Sequence, residues 1–266
     1  MKALVVIPTY NEIDSLPGAL DRVRDAVPET GILVVDDNSP DGTGALADAR
    51  AREDDRIHVL HRAEKNGLGP AYLAGFSWGL ASGYELICEM DADGSHRAED
   101  LALLIQRAEM ADEPDLVIGS RWVSGGATEG WDAKRIALSR GGNLYINAML
   151  GLRVKDATAG FRVYRASILR RLDLGGVEAL GYGFQVNMTK LVADVGGRIV
   201  EMPITFLERE AGQSKLSGGI FTEELGLVTK WGLAKRGAQL AEAVRKLDDR
   251  IGRPRADGRR RPPGPP

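Results

Sequence analysis

The chain has 266 residues, 43% of them hydrophobic and 27% charged, with a net charge of −3 and one cysteine. That is an ordinary globular composition, enough for one large core or a core with a subdomain. Cys88 alone excludes a disulfide framework, so a reducing, cytoplasmic setting and a packing role for that thiol are expected.

The opening run Met1-Lys2-Ala3-Leu4-Val5-Val6-Ile7-Pro8 is too short for the apolar part of a signal peptide, and no stretch of about 18 apolar residues occurs, so no membrane span is expected. Within that run Ala3 to Ile7 is apolar and rich in β-branched residues, which predicts a strand stopped by Pro8. A polar loop, Thr9-Tyr10-Asn11-Glu12, then leads into a helix marked by Leu16, Leu20, Val23 and Val27. The pattern repeats. Ile32 to Val35 predicts a strand, Asp36 to Gly42 a tight turn, and an Ala-rich helix follows to about Arg52. A third strand, Ile57 to Leu60, is followed by the loop Lys65 to Pro70 and a helix to about Gly83. A fourth strand begins at Leu86. After a helix carrying Leu101, Leu104, Ile105 and Ala108, a fifth strand, Leu116 to Ile118, ends at Gly119-Ser120-Arg121-Trp122. Strands alternating with helices predict an α/β fold with a mostly parallel central sheet and right-handed crossovers.

The fourth strand, Leu86-Ile87-Cys88-Glu89-Met90-Asp91-Ala92-Asp93-Gly94, delivers two carboxylates, one residue apart, to its C-terminal end. Ligands of open parallel sheets collect at that edge, and a hard cation shared with substrate phosphates suits two such oxygens. The competing reading makes Asp91 and Asp93 caps of the helix that starts near Arg97. Glu12, Asp37, Asp91, Asp93 and Arg121 all follow apolar strands directly, so a parallel sheet gathers them along one edge, where each taken singly is equally explained as a solvated turn residue. His96, just before a helix start, reads as a cap or loop side chain rather than a base.

Four motifs succeed one another in a telling order: Val5-Val6-Ile7-Pro8-Thr9-Tyr10-Asn11-Glu12, Val34-Val35-Asp36-Asp37-Asn38-Ser39-Pro40-Asp41-Gly42-Thr43, Asn66-Gly67-Leu68-Gly69 and Met90-Asp91-Ala92-Asp93. Together they resemble the inverting family 2 glycosyltransferases with the GT-A, Rossmann-like fold. Further on, Gly119-Ser120-Arg121-Trp122, Trp131-Asp132-Ala133-Lys134-Arg135, Ser139-Arg140-Gly141, Thr158 to Arg165, Gly183-Phe184-Gln185 and Gly212-Gln213-Ser214-Lys215-Leu216 resemble the polyprenol-phosphate (dolichol-phosphate) mannose synthases of that family. The similarity runs from about Ala3 to Lys230. It implies transfer of mannose from GDP-mannose to a polyprenyl or dolichyl monophosphate, with Mg²⁺ or Mn²⁺ as cofactor.

Carried over by position, the resemblance implies nucleotide contacts at Pro8, Tyr10, Glu12, Val35 and Asp37, although strand packing equally explains Pro8 and Val35. It implies a metal and diphosphate segment at Asp91, Ala92 and Asp93, with Ser95 as a candidate third ligand where family members often carry Gln. It implies phosphate contacts at Arg121, Arg135, Arg209 and Lys215 and a further binding residue at Ser139, and Arg121, Arg209 and Lys215 join the two aspartates as the catalytic set. Surface ion pairs with Asp132, Glu208 and Glu210 are the alternative for Arg135 and Arg209. Lys215 sits in a Gly/Ser-rich loop expected to act as a mobile lid over donor and acceptor.

The mechanism expected from that resemblance is a single displacement with inversion, since a phosphate monoester is already largely ionised near neutral pH and needs no strong base. A polyprenyl-phosphate glucose or N-acetylhexosamine synthase would keep the same apparatus, and a non-catalytic nucleotide-binding subunit would keep only the fold. The expected organisation is a catalytic domain over 1–215, with a nucleotide and metal half to about 125 and an acceptor half beyond, then an amphipathic segment over 216–248 and a tail over 249–266. Phe221, Leu225, Val228 and Trp231, then Leu240, Val244, Leu247 and Ile251, recur at helical spacing and predict C-terminal amphipathic helices. The tail carries six arginines against two aspartates among five prolines, a balance of +4 that leaves −7 on the rest, and reads as a disordered basic arm. Peripheral contact with the cytoplasmic face of a membrane through 220–251 and this tail is expected, a membrane protein partner being optional. The acidic body argues against nucleic acid.

Overall fold

The computed structural model describes residues 1–177, 182–208 and 218–251. In chain order the elements are β1 (Ala3–Thr9), α1 (Leu16–Ala26), β2 (Gly31–Asp36), α2 (Thr43–Glu53), β3 (Ile57–His61), α3 (Leu68–Ala81), β4 (Leu86–Glu89), α4 (Ala98–Ala108) and β5 (Leu116–Ser120). There follow β6 (Ala127–Thr128), α5 (Ala133–Leu150), β7 (Arg162–Arg165), α6 (Ala166–Leu169), α7 (Tyr182–Asp194), β8 (Ile199–Pro203), β9 (Thr205–Phe206) and α8 (Gly218–Ile251). Seven strands form one sheet in the order β3-β2-β1-β4-β7-β5-β8, and β6 pairs with β9 in a separate ribbon.

Every pairing in the main sheet is parallel except those of β7, which runs antiparallel between β4 and β5. The C-terminal ends of β1, β2, β4 and β5 therefore open on the same edge, as the alternating pattern predicts. β7 is short, and the sequence pattern does not single it out as a strand. Its placement has one chemical consequence, which is to set Arg162 directly across from Glu89.

The strands are apolar on both faces because helices cover both. Leu4, Val6, Leu33 and Val35 point to the side where α3 supplies Tyr72 and Phe76, whereas Val5, Ile7, Ile32 and Val34 point to the side covered by α1 and α4 through Leu16, Leu20, Leu101 and Leu104. Each such fully buried aliphatic side chain stabilises the fold by about 1.5–3 kcal/mol. α3 lies unusually close to β1, since a Cβ at Gly75 would stand 2.4 Å from Val6 Cγ1. That contact fixes the depth at which Tyr72, on the same helix, reaches the sheet.

Two sequence expectations shift. β4 stops at Glu89, so the aspartates stand on a loop rather than on the strand itself. The two C-terminal apolar stripes ride on one continuous helix, α8, of 34 residues. In the first stripe Val228 is buried and Trp231 packs against the core, whereas Leu240 and Val244 are exposed in the second. The tail from 252 onward lies outside the described residues.

Candidate active site at the C-terminal edge of the sheet

The loops after β1 and β2 are latched together. Backbone N–H groups of Asn11, Glu12 and Ile13 donate to Ser39 Oγ (3.1 Å), Thr43 Oγ1 (3.0 Å) and Asp41 Oδ2 (3.2 Å). Asn11 and Asn38 carry the chain through the left-handed region at these two corners, which Asn tolerates better than most residues. Asp36 works within the turn, accepting from Thr9 and Ser39. Its neighbour Asp37 is only 5% exposed and pairs with Arg62 at 2.6 Å. Burial pushes the Asp37 carboxyl up from its ordinary range, against the pull of the Arg62 charge. Tyr10 is half-buried, with Lys65 Nζ 3.9 Å from its ring centre, and Glu12 accepts from Ser15 Oγ at 2.6 Å.

Pro8 and Val35 are register partners across β1 and β2. Val35 is fully enclosed in the core and its side chain packs beneath α3, so a nucleotide contact there falls to its main chain.

The loop after β4 is organised around its two aspartates. Asp91 Oδ1 accepts from Tyr72 Oη at 3.1 Å, and the Asp91 N–H donates to His96 Nδ1 at 3.1 Å. His96 is buried, stacked on Phe161 at 4.6 Å with Phe206 edge-on at 5.5 Å. Because Nδ1 accepts, the ring carries its proton on Nε2. Asp93 Oδ1 accepts from both Ser95 N (3.0 Å) and Ser95 Oγ (2.6 Å). The chain passes between them at Gly94 with φ of 79°, a left-handed turn that suits glycine. Arg97 occupies the N-cap of α4, which has no side-chain cap bond, so neither aspartate caps that helix.

Ser95 is the residue expected as a third metal ligand. The residue is fully buried and its hydroxyl donates to Asp93, so it orients the carboxylate from behind. Among the described residues no cluster of three or more His, Cys, Asp or Glu side chains could hold a metal ion. Ala92 is nearly enclosed between the two aspartates.

Behind this loop lies a group to which no role attaches in the sequence reading. Glu89 is fully buried and accepts from Gln185 Nε2 at 2.7 Å. Burial pushes its carboxyl up to about 7, although the facing Arg162 charge opposes the rise. Arg162 is itself fully enclosed and donates to Tyr164 Oη, Thr189 Oγ1 and the carbonyls of Ala157, Ala159 and Gln185. A charged residue inside each of two apolar strands is the signal that could have revealed this pair.

Arg121 stands at the tip of β5 and does not present its guanidinium freely to a phosphate. Nε and Nη2 grip Asp156 Oδ2 and Oδ1 at 2.8 and 2.7 Å, and Nη2 also donates to Thr158 Oγ1 at 2.9 Å. Burial alone would raise the Asp156 carboxyl, but the Arg121 charge and its hydrogen bonds win and hold it below the ordinary range. Trp122, Trp131 and Phe206 surround the guanidinium at 5.3–5.5 Å. Arg121, the expected phosphate contact, is thus one half of a buried, bidentate ion pair. Arg135 lies 3.9 Å above the Trp131 ring and 3.4 Å from Glu208, the ion-pair alternative, while Asp132 caps α5 by accepting from the Arg135 N–H. Ser139 is half-buried, one turn further along α5. Arg209, Lys215 and the loop expected to form a lid lie outside the described residues.

A family model described as glycosyl transferase family 2 matches residues 4–173. Undecaprenyl-phosphate mannosyltransferase of Micrococcus luteus is 58% identical over 236 residues, covering 89% of this chain and 96% of that protein. Polyprenol monophosphomannose synthase of Mycolicibacterium smegmatis is 50% identical over 236 residues, covering 88% of each. Among solved structures, glucosyl-3-phosphoglycerate synthase from Mycobacterium tuberculosis with Mn²⁺, UDP and glucosyl-3-phosphoglycerate superposes with a TM-score of 0.60 at 19% identity, over 96% of this chain and 81% of that one. A mannosyltransferase from Pyrobaculum calidifontis in complex with GDP-Man and Mn²⁺ gives 0.54 at 18% identity, over 91% and 75%. These two likenesses establish the GT-A-like fold.

Proposed function

The chain belongs to glycosyl transferase family 2, and on that premise we propose that it transfers mannose from GDP-mannose to a polyprenyl monophosphate, yielding polyprenyl phosphate mannose and GDP. The observation that carries this reading is identity of 58% and 50%, across nearly the whole of two relatives whose names state a mannosyl transfer to a polyprenol phosphate or a phosphomannose synthesis.

A divalent ion fits the tip of β4. Asp91 and Asp93 are hard oxygen donors on one short loop, each held by a hydrogen bond from behind, and diphosphate oxygens and water would complete the shell of Mg²⁺ or Mn²⁺. When bound, that ion neutralises charge on the departing diphosphate. Asp37, oriented by Arg62, can accept from base or ribose donors, and the Tyr10 ring can cover an apolar face of the nucleotide. Arg135, with Arg209 and Lys215, supplies positive charge for the two phosphate centres. The acceptor arrives ionised, so these residues need only hold it in line with the anomeric carbon while GDP departs from the opposite face. Inversion to a β-linked mannosyl phosphate follows.

A lipid acceptor also requires access to a bilayer surface. No helix of the described residues is long and apolar enough to cross a membrane. The reading has the enzyme attach peripherally, at the cytoplasmic face, through α8 and the basic tail. Incubation with radiolabelled GDP-mannose and a polyprenyl phosphate is expected to move label into the lipid extract, with chelator abolishing transfer and Mg²⁺ or Mn²⁺ restoring it. Absence of transfer, or transfer unaffected by chelator, overturns the reading.

A further inference from the structure

A concavity lies where α5 meets the segment leading to Asp156. It is an open groove of about 620 Å³ walled by Trp122, Arg140, Leu144, Asn147, Arg153 and Lys155, with Leu152 and Val154 at its base. No acidic side chain lines it, and its three cations form no ion pair among the described residues. Arg140 is held 4.8 Å above the Trp122 ring, while Arg153 and Lys155 are exposed. Two buried polar atoms of the wall, Trp122 Nε1 and Asn143 Oδ1, have no hydrogen-bond partner among the described residues.

The apolar part of the groove is equally unusual. Leu144 is 73% exposed, the highest value of any large hydrophobic side chain among the described residues. It lies one turn along α5 from Arg140, so cation and aliphatic side chain share a face. α8 packs against the same helix, with Gly232 against the Met149 main chain and Lys235 and Arg236 donating to the carbonyls of Leu150 and Ala148. Beyond that contact α8 exposes Leu233, Leu240 and Val244. A soluble anion would engage the cations and leave these side chains in water. A ligand that is anionic at its head and part of an apolar surface would use both.

We propose that this groove seats the phosphate of an anionic phospholipid headgroup at the bilayer surface, with Leu144 entering the interface beside it. The inference deepens the reading of the chain as an enzyme with a lipid acceptor, placing a membrane-docking site on α5 apart from Asp91 and Asp93. Each cation near an anionic surface contributes about 1 kcal/mol to attachment, so losing two lowers binding roughly 30-fold. The unneutralised groove also makes attachment salt-sensitive.

The test is flotation of the full chain with phosphatidylcholine vesicles, with and without phosphatidylglycerol. Arg153→Gln combined with Lys155→Gln is expected to lower binding to the anionic vesicles roughly 30-fold, and Leu144→Gln to lower binding to both kinds. All three positions are exposed, and an unchanged melting temperature verifies that the variants fold. Undiminished anionic-vesicle binding by the double variant overturns the proposal. So does Leu144→Gln binding like wild type while glycerol 3-phosphate displaces the protein from vesicles, which would mark a site for a soluble phosphate. A raised KM for a short, water-soluble isoprenyl phosphate in the double variant would make the groove part of the acceptor site, and equally sinks the idea. The flotation readout needs no sugar donor, so it stands or falls separately from the transfer reaction.

Discussion

Tyr72 Oη lies 3.1 Å from Asp91 Oδ1, so a tyrosine buried in the middle of α3 aims one carboxylate of the β4 loop. Its ring is wedged by stacking on Phe184 at 6.0 Å and Phe76 at 6.2 Å, which leaves the hydroxyl little freedom. Tyr72→Phe keeps the wedge and removes only the hydrogen bond. Outer partners of this kind typically change metal affinity 10–100-fold, so Mn²⁺ binding in the presence of GDP is expected to weaken by about that factor, with the melting temperature nearly unchanged. Paramagnetic resonance of free Mn²⁺ measures it, and wild-type affinity in the variant would remove Tyr72 from the site.

Asp93 depends on its own loop. Ser95→Ala deletes the 2.6 Å bond to Oδ1 but leaves the one from Ser95 N, so a loss of about tenfold in metal affinity is expected. Asp93→Ala removes the ligand itself and is expected to abolish transfer. Gly94→Ala forces a Cβ into a φ of 79° and should cost about 1–2 kcal/mol of stability together with weaker metal binding. Equal effects of Ser95→Ala and Asp93→Ala on metal titration would mean that Ser95 is itself a ligand.

Much of this edge was legible in the sequence because parallel strands obey a simple rule: apolar run, then polar loop, always at the same end. That rule located Asp37, Asp91, Asp93 and Arg121 without any contact being known. It could not say which way a side chain turns once it is there. Arg121 and Asp156 are 35 positions apart, and nothing local shows that they close on each other, or that the Ser95 hydroxyl donates to Asp93. β7 escaped notice because four residues with an arginine at each end carry little strand signal. The antiparallel pairing that joins Glu89 to Arg162 is a tertiary fact.

The Arg121–Asp156 pair sets an acid limit on the fold. The Asp156 carboxyl is depressed in the folded chain relative to the unfolded one, so its contribution is fully present above the ordinary aspartate range near 4 and is lost as pH falls through the folded value. Asp156→Asn leaves a buried guanidinium without its charge partner, which typically costs about 3–5 kcal/mol. The stability gap between wild type and variant should therefore be wide at pH 7 and narrow below pH 4. Replacing both, Arg121→Met with Asp156→Leu, should recover much of the loss. Thermal melts across that range test both statements, and a gap independent of pH would show that the pair is not what holds this corner.

No side-chain base is expected to act in the transfer. His96 is the one histidine near the aspartates, but its Nδ1 accepts the Asp91 N–H and its ring is closed in by Phe161 and Phe206. His96→Asn can place Oδ1 where Nδ1 was, keeping that hydrogen bond while deleting any basic nitrogen. A general base contributes about 10²–10⁴-fold, whereas loss of ring packing alone should lower kcat by less than tenfold. If the acceptor phosphate is its own nucleophile, kcat/KM rises with pH through the second ionisation of a phosphate monoester, near 6, and then levels off in wild type and variant alike. A fall of a hundredfold or more in His96→Asn at unchanged melting temperature, with the rising limb gone, would instead assign the proton to histidine.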